Sequence, residues 1–124
     1  MLEKGLKAQS EVQVTSERIA ATMGSGDLSV FATPSMVALM ENAAMRAVAA
    51  SLPEGSTTVG ALINTTHVKP SKVGATITAQ AELVAVEGRK LTFRVSAHDE
   101  QGEIGSGEHV RYVVDREQFM AKLQ

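Results

Sequence analysis

The stretch VFATPSMVALMENAAMRAVAASL, residues 30–52, decides the fold of this chain. Thr33 is a favourable helix N-cap, and Pro34 suits the first helical turn, where its missing N–H removes no hydrogen bond. No glycine or further proline follows within the stretch, and it is dominated by alanine, methionine and leucine, which are strong helix formers. The stretch therefore predicts one long helix.

Charge is nearly absent from this helix. Only Glu41 and Arg46 interrupt the apolar residues, and a helix that is apolar nearly all round is expected to be buried. A core-facing stripe follows the i, i+3, i+4 spacing at Val37, Met40, Ala44 and Val48, and Glu41 lies on this stripe as well. A buried carboxylate must be paired, hydrogen-bonded or protonated. Glu41 is therefore a candidate functional residue, and its structural alternative is an ion pair with an arginine from a strand.

The composition bounds the class of protein. With 44% hydrophobic and 21% charged residues, residues 1–124 are most simply one globular domain. The formal charge of −2 and the pI near 5.9 give no reason to expect nucleic-acid binding. The absence of cysteine excludes disulfides and thiolate metal sites and fits a cytoplasmic protein. The first residues lack the apolar core of a signal peptide, and the longest apolar run is too short to span a bilayer, so no membrane association is expected.

The residues on either side of the helix have the period of β-strands. Residues 6–14 alternate, and Thr15 can cap a short helix to about Thr22. After a stop at residues 53–56, alternation recurs over residues 61–68, 77–85, 91–97 and 104–114, before Asp115 caps a closing helix that contains Phe119 and Leu123. Short turns join these strands, so neighbours are expected to be antiparallel. One long helix wrapped by an antiparallel sheet of about five strands is an α+β arrangement, the hot-dog fold.

Three polar residues are candidates for catalysis: Thr33 at the helix start, Glu41 two turns further on, and His67 in the first strand after the helix. Each has a plain structural explanation, since an isolated Thr33 is an ordinary N-cap and a lone strand histidine is more often structural or exposed. Together, however, a carboxylate, an imidazole and a hydroxyl suit acyl transfer. We expect the three side chains to lie in one cleft.

Four segments support this interpretation: VFATPSMVALMENAAMRA, VGALINTTHVKPSKVGATITAQAEL, VEGRKLTFRVSAHD and EIGSGEHVRYV. From about Val30 to Leu123 the chain resembles the fluoroacetyl-CoA thioesterase family, a branch of the hot-dog thioesterases. The resemblance implies an acyl-CoA thioesterase that needs no cofactor and forms a homodimer.

The resemblance also implies roles for individual residues. Thr33, Glu41 and His67 match the family's catalytic set, and Gly60 matches a glycine whose backbone N–H could face the thioester carbonyl. Glu41 would attack the carbonyl or activate a water, His67 would move the proton, and Thr33 would hydrogen-bond the carboxylate or the oxyanion. Arg111 matches an arginine of the last strand, and both a structural ion pair and a substrate phosphate contact are open for it.

One departure from the family concerns the acyl pocket. A pocket that selects a very small acyl group needs bulky apolar side chains, but residues 24–29, GSGDLS, contain no aromatic. A thioesterase is still expected, whereas the sequence does not predict selectivity for fluoroacetyl groups.

Two other functions stay open on the same fold. An enoyl-thioester hydratase usually pairs an aspartate and a histidine within one segment, and no aspartate lies near His67. A non-catalytic acyl-CoA binding module would not need the three residues intact, and fold alone cannot separate these functions.

The remaining candidates are weaker. His98 and His109 have no partner at metal-ligand spacing, so no metal site is expected. Gly105 and Gly107 favour a bulge or a close strand approach over ligand binding. Four basic residues could contact coenzyme A phosphates, although ordinary solvated side chains are the better interpretation for each: Lys69, Lys72, Arg89 and Lys90.

Overall fold

A computed structural model describes all residues, 1–124. The strands are β1 Lys7–Gln13, β2 Ser56–Thr65, β3 Thr76–Glu87, β4 Lys90–Asp99 and β5 Gly102–Asp115. The helices are α1 Ala20–Met23, α2 Thr33–Ala49 and α3 Arg116–Ala121, and a single 3-10 turn spans Ser16–Arg18.

The strands form one antiparallel sheet in the order β1-β3-β4-β5-β2. The chain returns from α2 to the far edge of the sheet, which makes β2 an edge strand paired only with β5. The sheet curls around α2, and the predicted hot-dog fold with five antiparallel strands is confirmed.

Helix α2 packs through one stripe rather than all round. It lies mainly against β1 and β3 and contacts β4 and β2 much less. Its buried residues include Ala43 and Ala44, which belong to the same core cluster as the small sheet residues Ala79 and Ala81, and side chains of this size allow the helix to approach the sheet closely. The expectation of a helix buried on every side is wrong for the single chain, because the opposite positions are exposed: Ala38, Asn42, Met45, Arg46 and Ala49.

Two local predictions at the ends of elements are also wrong. The N-cap of α2 is Ala32, which makes no side-chain capping bond, and Thr33 is already helical. The strand predicted over residues 61–68 begins earlier and ends at Thr65, so His67 lies in the loop after β2. By contrast, Asp115 caps α3 as predicted, since its side chain accepts a hydrogen bond from the backbone N–H of Gln118 at 2.9 Å.

The glycines of β5 allow a close approach, as predicted. A Cβ on Gly107 would overlap the carbonyl oxygen of Asn64, and one on Gly105 would overlap that of Thr66. Residues 64–66 therefore lie almost directly on the β5 backbone. The backbone N–H of Thr66 continues this contact by donating to Ser106 O at 3.0 Å. The two glycines thus help to fix the segment that leads into His67.

The loop after His67 is held by a buried carboxylate at the end of β4. Asp99 accepts hydrogen bonds from Lys69 Nζ at 2.6 Å, from Ser71 Oγ at 2.8 Å and from the backbone N–H of Gln101 at 2.8 Å. Burial alone would raise the pKa of Asp99, but these donors and the charge of Lys69 outweigh it and lower the pKa to about 2.

We predict that Asp99 stabilises the fold above pH 4 and that this contribution disappears in acid. Its folded pKa is depressed, so the stabilisation is complete above the unfolded value of 3.8 and is lost as the pH falls towards about 2. Asp99→Asn should lower the free energy of unfolding by about 1–2 kcal/mol at pH 7, a range reduced because Lys69 is partly exposed.

Urea unfolding at pH 7 and at pH 2.5 measures this contribution. Glu82→Gln is the matched control, because Glu82 and Arg94 form an exposed pair at 4.0 Å that should contribute little. An equal loss in both variants at pH 7 would contradict the special role of Asp99.

Candidate active site

The first helical residue and the loop after β2 meet in a hydrogen bond. Thr33 Oγ1 and His67 Nδ1 are 2.7 Å apart. The edge of the Phe31 ring lies against the imidazole, with ring centroids 6.5 Å apart at 78°. Thr33 therefore uses its hydroxyl to orient a histidine rather than to cap the helix, which is why the structural explanation of Thr33 as an N-cap is wrong.

His67 keeps one ring nitrogen without a hydrogen-bond partner. Its Nε2 atom is buried and has no hydrogen-bond partner in the chain. Burial lowers the pKa of His67 below 6.5, so the ring is neutral at pH 7. A neutral, oriented imidazole with an unpaired nitrogen can take up one proton and then deliver it.

Glu41 lies in a separate depression between α2 and β2. The residues around it include Ala38, Asn42, Met45, Thr58, Val59, Gly60 and Arg111. A Cβ at Gly60 would come within 3.0 Å of Glu41 Oε2, so a larger residue there would displace the carboxylate. Glu41 is half-buried and forms no salt bridge or side-chain hydrogen bond within the chain, so the ion pair that was its structural alternative is not formed.

Thr33, Glu41 and His67 do not share one cleft in the single chain. Glu41 lies eight positions after Thr33 in α2, which corresponds to a rise of about 12 Å along the helix. His67 lies in a depression with Thr33 and Phe31, and Glu41 lies in the other. The expected single cleft is therefore wrong for one chain, although the Thr33–His67 pair within it is present.

Arg111 is buried at the bottom of the Glu41 depression. Its Nε donates to Thr58 Oγ1 at 2.8 Å, and its Nη2 donates to Thr58 O at 2.9 Å. Its Nη1 contacts His109 Nε2 at 3.2 Å. No carboxylate lies within salt-bridge distance of the guanidinium, so Arg111 is not part of a structural ion pair. Burial lowers the pKa of Arg111, whereas the charge of Glu41 opposes that shift.

Sequence reasoning considered His109 only as a metal ligand and missed its place beside Arg111. The available signal was the strand period, which puts His109 and Arg111 on the same face of β5. No group of three or more histidine, aspartate or glutamate side chains in the structure could hold a metal ion. Lys69, one of the four basic residues considered for phosphate contacts, instead forms a salt bridge with Asp99.

Comparison with solved structures defines the class of protein. A solved structure of the fluoroacetyl-CoA thioesterase FlK superposes with a TM-score of 0.92 at 39% identity, covering 99% of this chain and 96% of that chain. A hypothetical protein of Thermus thermophilus, a thioesterase superfamily member, has a TM-score of 0.91 at 26% identity and covers 99% and 91%. The class is that of the hot-dog thioesterases.

Sequence comparison narrows the class. The fluoroacetyl-CoA thioesterase of Streptantibioticus cattleyicolor is 50% identical over 95 residues, which are 77% of this chain and 68% of that protein. Residues 14–117 match the family described as FlK, fluoroacetyl-CoA-specific thioesterase. The chain belongs to this family and is a thioesterase.

None of the helices has the length and apolar character needed to cross a membrane.

We predict that His67 titrates below pH 6.5, because burial disfavours its charged form. An NMR titration of the imidazole resonances, assigned by comparison with His67→Asn, measures this pKa. The lowered pKa also makes His67 destabilising in acid, because between the folded pKa and 6.5 the imidazole binds a proton in the unfolded chain but not in the folded one. A His67 pKa at or above 6.5 would show that the ring is solvated or ion-paired instead.

Proposed function

We propose that this thioesterase hydrolyses short-chain acyl-CoA to the free acid and coenzyme A, with Thr33, Glu41 and His67 as its catalytic residues. The observation that carries the proposal is the Thr33–His67 hydrogen bond, which orients an imidazole and leaves its buried Nε2 free. The relatives support the substrate class: FlK acts on fluoroacetyl-CoA, and a variant of FlK forms a complex with acetyl-CoA.

The unpaired Nε2 of His67 supports a role for this residue in proton transfer. Neutral at pH 7, the ring can take a proton from an attacking water and then, as the imidazolium, deliver that proton to the departing coenzyme A thiolate. Glu41 supplies the carboxylate, which either attacks the thioester carbonyl or activates the water. Because Glu41 has no partner in the chain, its oxygens are available for either step.

Gly60 and Arg111 are proposed to bind the thioester end of the substrate. Gly60 lies beside Glu41 with no side chain, so the carbonyl can approach its backbone N–H. Arg111 has five N–H donors, and Thr58 and His109 accept three of them. Two donors of a buried guanidinium remain for substrate at this point, which favours the thioester end over the phosphates of coenzyme A.

Selectivity for fluoroacetyl groups is not part of the proposal. The loop at residues 24–29 is exposed along its whole length and contains no aromatic side chain to close over a small acyl group. We therefore assign the substrate as a short acyl-CoA, with chain length to be measured on a series beginning at acetyl-CoA.

We propose further that the active enzyme is a homodimer formed through β2. This ten-residue strand is at the sheet edge, where unpaired N–H and C=O groups can pair with a second strand. Apolar side chains are exposed beside it, with Leu62 49% and Met45 39% exposed. Antiparallel pairing of two copies would place the Glu41 depression of one chain opposite the Thr33–His67 pair of the other. The three residues would then meet across the interface, although about 12 Å of helix rise separates Thr33 from Glu41 within one chain.

We predict that Glu41→Gln abolishes thioester hydrolysis and leaves the fold intact. Glutamine keeps the shape but can neither attack nor accept a proton, so kcat on acetyl-CoA should fall by at least about 10³-fold. Since Glu41 has no ion-pair partner, the free energy of unfolding should change by less than about 1 kcal/mol.

The matched control is Glu108→Gln, an exposed carboxylate on β5 that should leave both kcat and Tm unchanged. A Glu41→Gln variant that is destabilised by 3–5 kcal/mol (about the effect of breaking a buried ion pair) but keeps its turnover would show that Glu41 is structural.

We predict that two inactive variants restore activity when they share a dimer. Glu41→Gln and His67→Ala would each be inactive alone. In a mixed dimer, the intact Glu41 of one chain meets the intact His67 of the other, so one site is complete. Random mixing should therefore restore about a quarter of the wild-type activity, because half of the dimers carry one of two sites.

Co-expression with two affinity tags isolates the mixed dimer, which carries one complete site of two, so its turnover on acetyl-CoA should be about half of the wild-type value while both parents stay inactive. If the three residues acted within one chain, the mixed dimer would contain no complete site and would stay inactive.

A further inference from the structure

A buried histidine that the proposed mechanism does not use touches both groups assigned to the thioester. His109 is 1% exposed, and its ring lies beside Phe93 with centroids 6.1 Å apart. Its Nδ1 is 2.8 Å from Leu62 O, and its Nε2 is 3.2 Å from Arg111 Nη1. The ring therefore bridges the edge strand β2 and the arginine of β5.

These two partners decide the protonation of the ring. A carbonyl oxygen only accepts, so Nδ1 must carry the hydrogen that binds Leu62 O. A guanidinium only donates, so Nε2 must be the acceptor for Arg111. His109 is thus a neutral imidazole in one tautomer. Burial lowers its pKa and the charge of Arg111 lowers it further, although the contact with Leu62 and the charge of Glu41 oppose the shift.

The contact with Leu62 falls at an irregularity in β2. The pairing register between β2 and β5 shifts between Gly60 and Leu62, which leaves Ala61 as the extra residue of a bulge. The bulge sets the direction of the backbone at Gly60, beside Glu41 Oε2. The ring of His109 also packs against Gly60, because a Cβ there would lie 3.4 Å from His109 Cε1.

We propose that His109 is a positioning residue for thioester hydrolysis: its neutral ring fixes the guanidinium of Arg111 through Nε2 and the Gly60 bulge through Nδ1–H. The inference rests on the proposed function, since it takes Arg111 and Gly60 as the groups that bind the thioester. His109 itself does not contact the substrate, and its effect passes through these two residues.

Two substitutions separate the two contacts of the ring. The side-chain oxygen of His109→Gln can occupy the position of Nε2, which keeps an acceptor for Arg111 and removes the donor to Leu62. The amide nitrogen of His109→Asn can occupy the position of Nδ1, which keeps the donor to Leu62 and removes the acceptor. His109→Phe fills the space beside Phe93 and removes both contacts.

Each variant is assayed for kcat and KM on acetyl-CoA, for Tm, and for the NMR resonance of the Arg111 Nε–H group. If His109 positions Arg111 and the Gly60 bulge, His109→Asn should lower kcat/KM by about tenfold or more and shift that resonance. His109→Gln, which loses only the contact that holds the bulge, should lower kcat/KM by about threefold and leave the resonance unchanged. His109→Phe should lose more than either. In an Arg111→Gln background, His109→Asn should cause no further loss, because its effect passes through Arg111.

Three results would overturn the proposal. Losses of kcat/KM that follow Tm equally in all three variants would make His109 a packing residue only. A full effect of His109→Asn in the Arg111→Gln background would show that it does not act through Arg111. An unchanged Arg111 resonance in His109→Asn would show that the guanidinium is held without the ring.

The NMR readout separates this inference from the proposed function. If wild type did not hydrolyse acyl-CoA, or if Glu41→Gln kept full turnover, the proposed function would fail. The response of the Arg111 resonance to His109→Asn and His109→Gln would still decide whether His109 positions the guanidinium.

Discussion

The packing of α2 against β1 and β3 is the constraint on which the rest of the structure depends. Small residues on both surfaces allow the close approach, and the helix thereby covers one half of the curled sheet. The half formed by β5 and β2 keeps space beside the helix, and Glu41, Gly60 and Arg111 lie there. A helix apolar on nearly every side is therefore only partly covered by its own chain, and its exposed face continues into the edge strand that we propose as the dimer interface.

The fold was predictable because the strand and helix patterns that define it each lie within a short stretch of sequence. Strand alternation and an uninterrupted run of helix formers are visible in the sequence, and they predict the antiparallel sheet with its central helix. The ends of elements were less predictable. Thr33 has the chemistry of an N-cap, but its hydroxyl contacts His67, 34 positions away in the sequence, and such a long-range contact overrides a local preference.

The candidate site was predictable in part. Thr33, Glu41 and His67 were identified by residue type and resemblance, and two of them meet. Glu41 and Thr33 lie apart because of helix geometry, since two residues eight positions apart on a rigid helix cannot approach each other. His109 was not recognised, because a histidine in a strand shows its role only when its two neighbours are known to be a carbonyl oxygen and a guanidinium.

The two histidines illustrate how burial prepares this surface for a thioester. His67 is neutral with one nitrogen free, which suits a group that must exchange a proton. His109 is neutral with both nitrogens bound, which suits a group that must stay in place. If His109 took up a proton, two donors would face each other at Arg111 Nη1, and the guanidinium would lose one of its three fixed bonds. Burial thus leaves His67 as a neutral ring that can accept a proton, whereas the two hydrogen bonds of His109 hold its ring in one tautomer.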